Sequence, residues 1–132
     1  MLSKSGFATI MPIKDMNRAI KFYTTKLGGR LQMRADGPMK DFWASVKVAG
    51  HNVWLVKPMK REKRTVAYST FLVKDIRRTV KGLVAGGVKF DKAEPMGPES
   101  KVVGPIAFDP FGASAFFKDT EGNLLMLWQD MM

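Results

Sequence analysis

The chain has 132 residues, a length that suits one compact domain or two small fused halves and that can bury a hydrophobic core without disulfides. Its 45% hydrophobic and 26% charged residues are typical of a globular protein and exclude a disordered one. The absence of cysteine excludes thiolate zinc sites and cysteine nucleophiles, and the formal charge of +10 favours anionic or neutral partners over cationic ones.

The amino-terminal residues carry no apolar run long enough for a signal peptide, and no later stretch reaches the length of a membrane span. We therefore expect a cytoplasmic protein without membrane association. A basic surface that serves only solubility would explain the net charge as well as an anionic partner does.

An internal repeat organises the chain. Residues 13–21 align with residues 73–81 at an offset of 60 positions, and the Lys, Asp, Arg and Lys of the two segments are identical. Each copy begins with a β-prone stretch, residues 7–13 and 66–73, and then continues into a helix. Asp15 and Asp75 stand at this transition, where Asp is a favoured N-cap.

Both helices are predicted to be amphipathic. Gly28-Gly29 and Gly86-Gly87 are expected to end them, because glycine adopts the left-handed conformation of a helix C-terminus. The apolar face predicted for the first helix consists of Met16, Ala19, Ile20, Tyr23 and Leu27, and that of the second consists of Ile76, Val80, Leu83 and Val84.

Beyond the helices the two halves match again, now at an offset of 72. Gly50 and Gly122 mark tight turns, and a hairpin turn is predicted over residues 119–123. The larger offset indicates that the second copy has gained a loop, which its proline and glycine content places at residues 91–109.

The predicted element order is strand, helix and three strands, given twice, which is an α+β fold of two tandem βαβββ repeats. The first repeat is expected over residues 1–58 and the second over residues 66–132, joined by a linker at 59–65. Each repeat has too small a sheet to close a core alone, so we expect the two to form a single domain.

Two segments carry a resemblance to a known family. Residues 112–127, Gly-Ala-Ser-Ala-Phe-Phe-Lys-Asp-Thr-Glu-Gly-Asn-Leu-Leu-Met-Leu, resemble the terminal hairpin of the vicinal oxygen chelate superfamily, which includes glyoxalases, bleomycin-resistance proteins and dioxygenases. Residues 15–23 are similar to its first helix. The resemblance implies a curved mixed sheet around a cavity, with the helices on the outer face, and a homodimer.

The resemblance also implies where metal ligands would stand. These positions fall on Ala8 and Trp54 in the first repeat and on Tyr68 and Met126 in the second, and none supplies an imidazole or a carboxylate. A shift by one residue supplies none either, since it gives Phe7, Thr9, Val53, Leu55, Ala67, Ser69, Leu125 or Leu127. His51, the only histidine, is expected in a surface turn. We therefore expect neither a metal ion nor another cofactor.

Side chains alternate across a strand, so residues in phase with these four positions should line the cavity. Most of this set is aromatic or apolar, which suits a pocket for a flat, apolar small molecule that Tyr68 and Thr70 orient by hydrogen bonds. The alternative is that these side chains simply fill the core. The predicted ligand-binding residues are Ala8, Ile10, Phe42, Trp54, Tyr68, Thr70, Phe116, Met126 and Trp128.

The remaining polar motifs are weaker. The acidic residues of the inserted loop, Asp91, Glu94, Glu99 and Asp109, are expected to be solvated. The basic run Lys57, Lys60, Arg61, Lys63 and Arg64 is expected to be a solvated linker, although such a run could also track nucleic-acid phosphates.

The favoured hypothesis is a metal-free protein that binds or sequesters a small hydrophobic or aromatic molecule, neutral or anionic. Bleomycin is cationic and fits the net charge poorly. One alternative is a metal-dependent lyase, isomerase or dioxygenase of the same superfamily with displaced ligands. A further alternative, which no recognised nucleic-acid motif supports, is a basic protein associated with nucleic acid.

Overall fold

The computed structural model describes residues 3–4, 8–58, 68–95 and 98–131. The chain divides into two compact units, Met1–Lys63 and Arg64–Met132, here called unit 1 and unit 2. The predicted linker at 59–65 and the first residues predicted for the two opening strands, Phe7 and 66–67, lie outside the described residues. The domain boundaries therefore stay a prediction.

Unit 1 is built around a four-stranded mixed sheet in the order β1-β4-β3-β2, in which β1 is parallel to β4 and the other pairs are antiparallel. One helix, α1, packs against β3 and β4. The elements are β1 (Ala8–Pro12), α1 (Met16–Lys21), a π-helical turn (Phe22–Lys26), β2 (Arg30–Arg34), a 3₁₀ turn (Gly37–Met39), β3 (Trp43–Val48) and β4 (His51–Val56).

The local signals that define α1 act as predicted. The Asp15 carboxylate accepts a hydrogen bond of 3.1 Å from the backbone N–H of Arg18, and Gly28 has a φ of +73° beyond the helical segment. The π-helical turn was not expected. It begins at Phe22, whose carbonyl accepts from the N–H of Leu27 at 3.2 Å, and both Phe22 and the next residue, Tyr23, are buried.

Unit 2 repeats this plan with one more strand, in a mixed sheet of order β5-β9-β8-β7-β6. Its helix, α2, packs against β8 and β9. Asp75 caps α2 as Asp15 caps α1, and the N–H of Ile76 donates to the Gln129 side chain at 2.8 Å. The elements are β5 (Ser69–Leu72), α2 (Ile76–Ala85), β6 (Lys101–Val103), β7 (Ile106–Asp109), β8 (Gly112–Lys118) and β9 (Leu124–Asp130).

The strand register confirms the two offsets of the internal repeat. Ile10 pairs with Trp54 in unit 1, and Thr70 pairs with Met126 in unit 2. These partners differ by 60 and by 72 positions, so the first and last strands of both units meet in the same parallel register. The α+β class and the two βαβββ repeats are thus confirmed, with each repeat forming a mixed sheet of its own.

The insertion of unit 2 is more ordered than a loop. Strands β6 and β7 form a hairpin within residues 91–109, closed by Gly104 at a φ of +59° and Pro105. The sequence contains the reason, because valine and isoleucine flank this Gly-Pro pair and favour strands. The prediction of an irregular loop was therefore wrong for this hairpin.

Each unit buries the sheet face on which its helix packs. Val84, predicted on the apolar face of α2, is exposed and stands one residue before the end of the helix. No helix among the described residues is long and apolar enough to cross a membrane. The largest fully buried apolar side chains are Met11, Ile13, Tyr23, Val46 and Leu55 in unit 1 and Ile76, Phe117, Leu125 and Leu127 in unit 2.

Candidate functional site

Unit 1 presents an apolar row on the sheet face opposite α1, here called the unit 1 open face. Ile10, Trp54 and Ser45 are cross-strand neighbours on β1, β4 and β3, and Met33 of β2 lies beside Ser45. Paired residues point to the same side of a sheet, so the four side chains share this face. Ile10, Trp54 and Met33 are 56%, 41% and 61% exposed, whereas Met11 and Leu55, the next residues along β1 and β4, are buried on the other face.

The Trp54 ring is held by a second indole. Trp43 lies beside it with ring centroids 5.9 Å apart and an interplanar angle of 76°, an edge-to-face contact. Trp43 pairs with Val56, two residues beyond Trp54, and so shares the open face. The two indoles together form a broad aromatic surface.

Trp43 takes the place that the sequence led us to expect for Phe42. Phe42 precedes β3, and the alternation within that strand puts Trp43 and Ser45, not their neighbours, on the open face. The Phe42 ring instead accepts the Lys57 ammonium at 5.6 Å from its centroid. Ala8, also predicted, pairs with Asn52, is half-buried, and stands two residues before Ile10 on the same side of β1.

Unit 2 presents two rows on its own sheet face opposite α2, the unit 2 open face. The first row is Thr70, Met126 and Phe116 on β5, β9 and β8, all of them predicted. Thr70 is exposed, and Met126 and Phe116 are half-buried. Tyr68 is half-buried just before β5, where its backbone N–H donates to the carbonyl of Leu124 at 2.8 Å.

The second row of this face contains Leu72, Trp128, Ser114 and Ala107. Leu72 is 81% exposed although it lies within a strand, and the sequence reasoning did not select it. Its position follows from alternation, because it stands two residues after Thr70 on β5. Leu72 therefore adds an exposed apolar side chain to the predicted ligand-binding residues of this face.

A glycine sets the position of Trp128. A Cβ atom at Gly112 would lie 2.1 Å from Cζ2 of the Trp128 indole, so the ring occupies the space where any other residue would place its side chain. Phe111 lies beside the same ring, with centroids 6.3 Å apart and an interplanar angle of 38°. The Trp128 ring thus lies over Gly112 of β8 and is half-buried.

One acidic residue of the insertion contradicts its prediction. Asp109 was expected to be solvated, but it ends β7 and is only 9% exposed. Its Oδ1 accepts a hydrogen bond from the Ser100 hydroxyl, whereas its Oδ2 is buried and has no hydrogen-bond partner. Burial of Asp109 depends on the β6–β7 hairpin, which the sequence reasoning missed. Asp91, by contrast, forms an exposed ion pair with Lys118 at 3.2 Å.

The positions at which the resemblance places metal ligands do not suit a divalent cation. Ala8 and Trp54 in unit 1, and Tyr68 and Met126 in unit 2, offer neither imidazole nor carboxylate. Within residues 3–4, 8–58, 68–95 and 98–131, no three His, Cys, Asp or Glu side chains form a group that could hold a metal ion. His51 is exposed as the first residue of β4, just past the turn in which it was expected.

Solved structures with this fold come from several bacteria. TnmS3, an antibiotic binding protein from Streptomyces sp. CB03234, is 23% identical, with a TM-score of 0.65 and coverage of 99% of both chains. TioX from Micromonospora sp. ML1 is 16% identical, with a TM-score of 0.69 and coverage of 96% of this chain and 99% of TioX.

A third similar structure is FosX, a genomically encoded fosfomycin resistance protein from Listeria monocytogenes. It is 18% identical, with a TM-score of 0.71 and coverage of 100% of this chain and 94% of FosX. At these identities the likeness shows the fold alone, and comparison with curated proteins gives no match. The family model of the Glyoxalase/Bleomycin resistance protein/Dioxygenase superfamily matches residues 7–127, so the chain belongs to that superfamily, as its two characteristic segments indicated.

Proposed function

We propose that this protein binds and sequesters a small hydrophobic or aromatic molecule, without a metal ion, on the open faces of its two units. The observation that carries the proposal is the exposure of large apolar side chains on the sheet faces opposite the two helices. Trp54, Ile10 and Leu72 are the main examples. Apolar side chains grouped on one exposed face mark a binding surface more often than single exposed ones do.

The energetics favour such a ligand. An aromatic molecule that covers about 200 Å² of apolar surface gains about 5 kcal/mol at 25 cal/mol per Å², before the entropic cost of association. Edge-to-face or stacked contacts with Trp54 or Trp128 add to this gain. The hydroxyl groups of Thr70 and Tyr68 are suited to orient the bound molecule.

The chemistry of the four family positions supports binding rather than metal-dependent turnover. A lyase, isomerase or dioxygenase of this superfamily that relies on a divalent cation needs hard or borderline donors, and Ala8, Trp54, Tyr68 and Met126 do not provide them. The positive net charge supports a neutral or anionic ligand. The proposal includes a homodimer, as the resemblance implies.

The first prediction concerns the open faces and uses anilinonaphthalene sulfonate, an anionic aromatic probe. Its fluorescence should rise on binding to the folded protein, and Trp54→Ala and Leu72→Ala should each weaken the binding several-fold, because each removes exposed apolar surface. Val84→Ala is the matched control, since Val84 is exposed on α2 instead. Treatment with EDTA should leave the affinity unchanged.

Two results would contradict the proposal. Equal binding by the three variants would mean that the probe does not use the open faces. Stoichiometric iron, nickel, zinc or manganese in the mildly purified protein, lost together with probe binding after EDTA, would favour the metal-dependent alternative.

A further inference from the structure

Asp109 lies on the unit 2 open face, beside Trp128. Asp109 is the cross-strand partner of Gly112, and the missing Cβ of Gly112 points at the Trp128 indole. Because paired residues project to the same side of a sheet, the Asp109 side chain projects to the side where Trp128 lies.

The preceding residue gives independent support for this orientation. Phe108 meets the Arg77 guanidinium of α2, with 4.6 Å from the guanidinium carbon to the ring centroid, so Phe108 lies on the helix side of the sheet. Successive residues of a strand alternate between faces. Asp109 therefore faces away from α2, onto the open face.

The hydrogen bonding of Asp109 is incomplete in a way that suits a ligand. The Ser100 hydroxyl donates a hydrogen bond to Oδ1, and Oδ2 is buried without a hydrogen-bond partner. A buried polar atom that has lost its water and gained no partner destabilises the folded protein. A donor supplied by a bound molecule would complete the hydrogen bonds of this carboxylate.

The surroundings restrict the kind of molecule. Phe111 and Trp128 lie next to each other beside Asp109, which suits an aromatic ring. Unit 2 is nearly neutral, with nine basic and eight acidic residues in 64–132, so its charge does not require an anion. The group that meets Oδ2 must be a donor, such as a phenolic O–H or an aromatic N–H.

We propose that Asp109 is the polar anchor of the unit 2 open face, where its Oδ2 accepts a hydrogen bond from an O–H or N–H group of an aromatic ligand that lies against Trp128. The inference rests on the proposed function and deepens it, because it selects neutral aromatic molecules that carry a donor. Asp109 is a specificity-determining residue in this scheme.

The test compares naphthol with methoxynaphthalene, which has the same rings but lacks the O–H donor. Wild-type protein should bind naphthol about tenfold more tightly or better, as expected for a hydrogen bond to a charged acceptor. Asp109→Asn keeps an acceptor for Ser100 and places an amide N–H₂ group where Oδ2 stood. The affinity ratio of the two compounds should then fall towards one, because the ether oxygen of methoxynaphthalene can accept from the new donor.

Asp91→Asn is the matched control, because it makes the same change of charge at an exposed ion pair. It should leave the affinity ratio unchanged. A second readout is the urea midpoint of unfolding, which should stay close to that of wild type in both variants, because Asp109→Asn exchanges one buried polar atom without a partner for another. A changed affinity ratio then reports on the ligand contact and not on a changed fold.

The outcomes separate the two proposals. Tight binding of both compounds with the same ratio in wild type and Asp109→Asn would overturn the role of Asp109 and leave the proposed function standing. Failure of wild-type protein to bind either compound, or anilinonaphthalene sulfonate, would overturn both.

Discussion

Gly112 shows how a single missing side chain can shape a binding surface. Several atoms of the Trp128 indole lie within 3 Å of the place where a Cβ would stand. Gly112 is also buried, so its backbone has no solvent-filled space into which it could move to make room for a side chain. The orientation of Trp128 on the open face thus depends on the absence of atoms at residue 112.

Gly112→Ala is therefore predicted to displace Trp128. The added methyl group would overlap the indole, and over-packing of this kind costs about 1–3 kcal/mol in the free energy of unfolding. The near-ultraviolet circular dichroism of tryptophan should change, and urea denaturation should show the loss of stability.

Gly82→Ala serves as the control for that experiment. Gly82 lies within α2, and nothing stands within 4 Å of the Cβ it would gain. Its replacement should stabilise the helix by up to about 1 kcal/mol and leave the tryptophan spectrum unchanged. Similar effects from both substitutions would show that Gly112 does not position Trp128.

Among the elements, the turn between β8 and β9 depends on the buried carboxylate of Asp119. The Asp119 Oδ1 accepts from the backbone N–H groups of Glu121 and Asn123, both at 2.8 Å, and its Oδ2 accepts from the Asn123 amide at 2.8 Å. Asp119 and Asn123 are buried, and Gly122 adopts a φ of +85° between them. The turn therefore fixes the register in which Met126 meets Phe116.

Asp119→Ala is predicted to destabilise the protein by about 2–4 kcal/mol, because three buried donors lose their acceptor at about 1 kcal/mol each. Asp15→Ala removes the exposed N-cap hydrogen bond from the Arg18 N–H and should cost about 0.5–2 kcal/mol. Chemical denaturation of the two variants compares the costs directly. An equal loss would indicate that the turn relaxes and that its donors find water.

The elements also show what sequence alone can predict. The helix caps Asp15 and Asp75, the left-handed glycines and the 60 and 72 offsets are local or periodic signals, and the structure agrees with them. The π-helical turn at Phe22 was not predicted, because it depends on how two adjacent aromatic residues fit against a sheet.

Errors at the site have equally specific causes. Phe42 is predicted on the open face, but β3 begins at Trp43, and a difference of one residue reverses the faces of a strand. The proline and glycine content of residues 91–109 predicts a loop with a solvated Asp109, but Gly104 and Pro105 form the turn of a hairpin that ends at Asp109. Trp54, Thr70, Met126 and Phe116 lie on the open faces, and their role in ligand binding stays a prediction.

At the scale of the whole molecule, the charge is distributed unequally between the units. Residues 1–63 contain thirteen basic and four acidic residues, whereas residues 64–132 contain nine and eight. Nearly all of the excess of +10 therefore belongs to unit 1. Long-range attraction of anions should arise mainly from that unit.

This charge predicts how salt affects binding kinetics. The association rate of anilinonaphthalene sulfonate should fall several-fold between about 0.01 and 1 M salt, over which the Debye length shrinks from about 30 to 3 Å. Methoxynaphthalene is neutral, and its association rate should change little. Stopped-flow fluorescence measures both rates, and equal salt dependence of the two compounds would show that the net charge does not steer ligands.

In each unit the first strand pairs with the last one, so the sheet of a unit can close only after its last strand has been synthesised. Thr70 must wait for its partner Met126, which is synthesised 56 residues later, about 3–11 s at 5–20 residues per second. During that interval the nascent chain exposes the free edge of β5, including Phe71. Strand β4 is the counterpart of β9 in unit 1 and could pair wrongly with β5. Both edges of β4 are already paired, however, with β1 and β3. Early completion of unit 1 thus removes β4 as a competing partner for β5 while the second half of the polypeptide is synthesised.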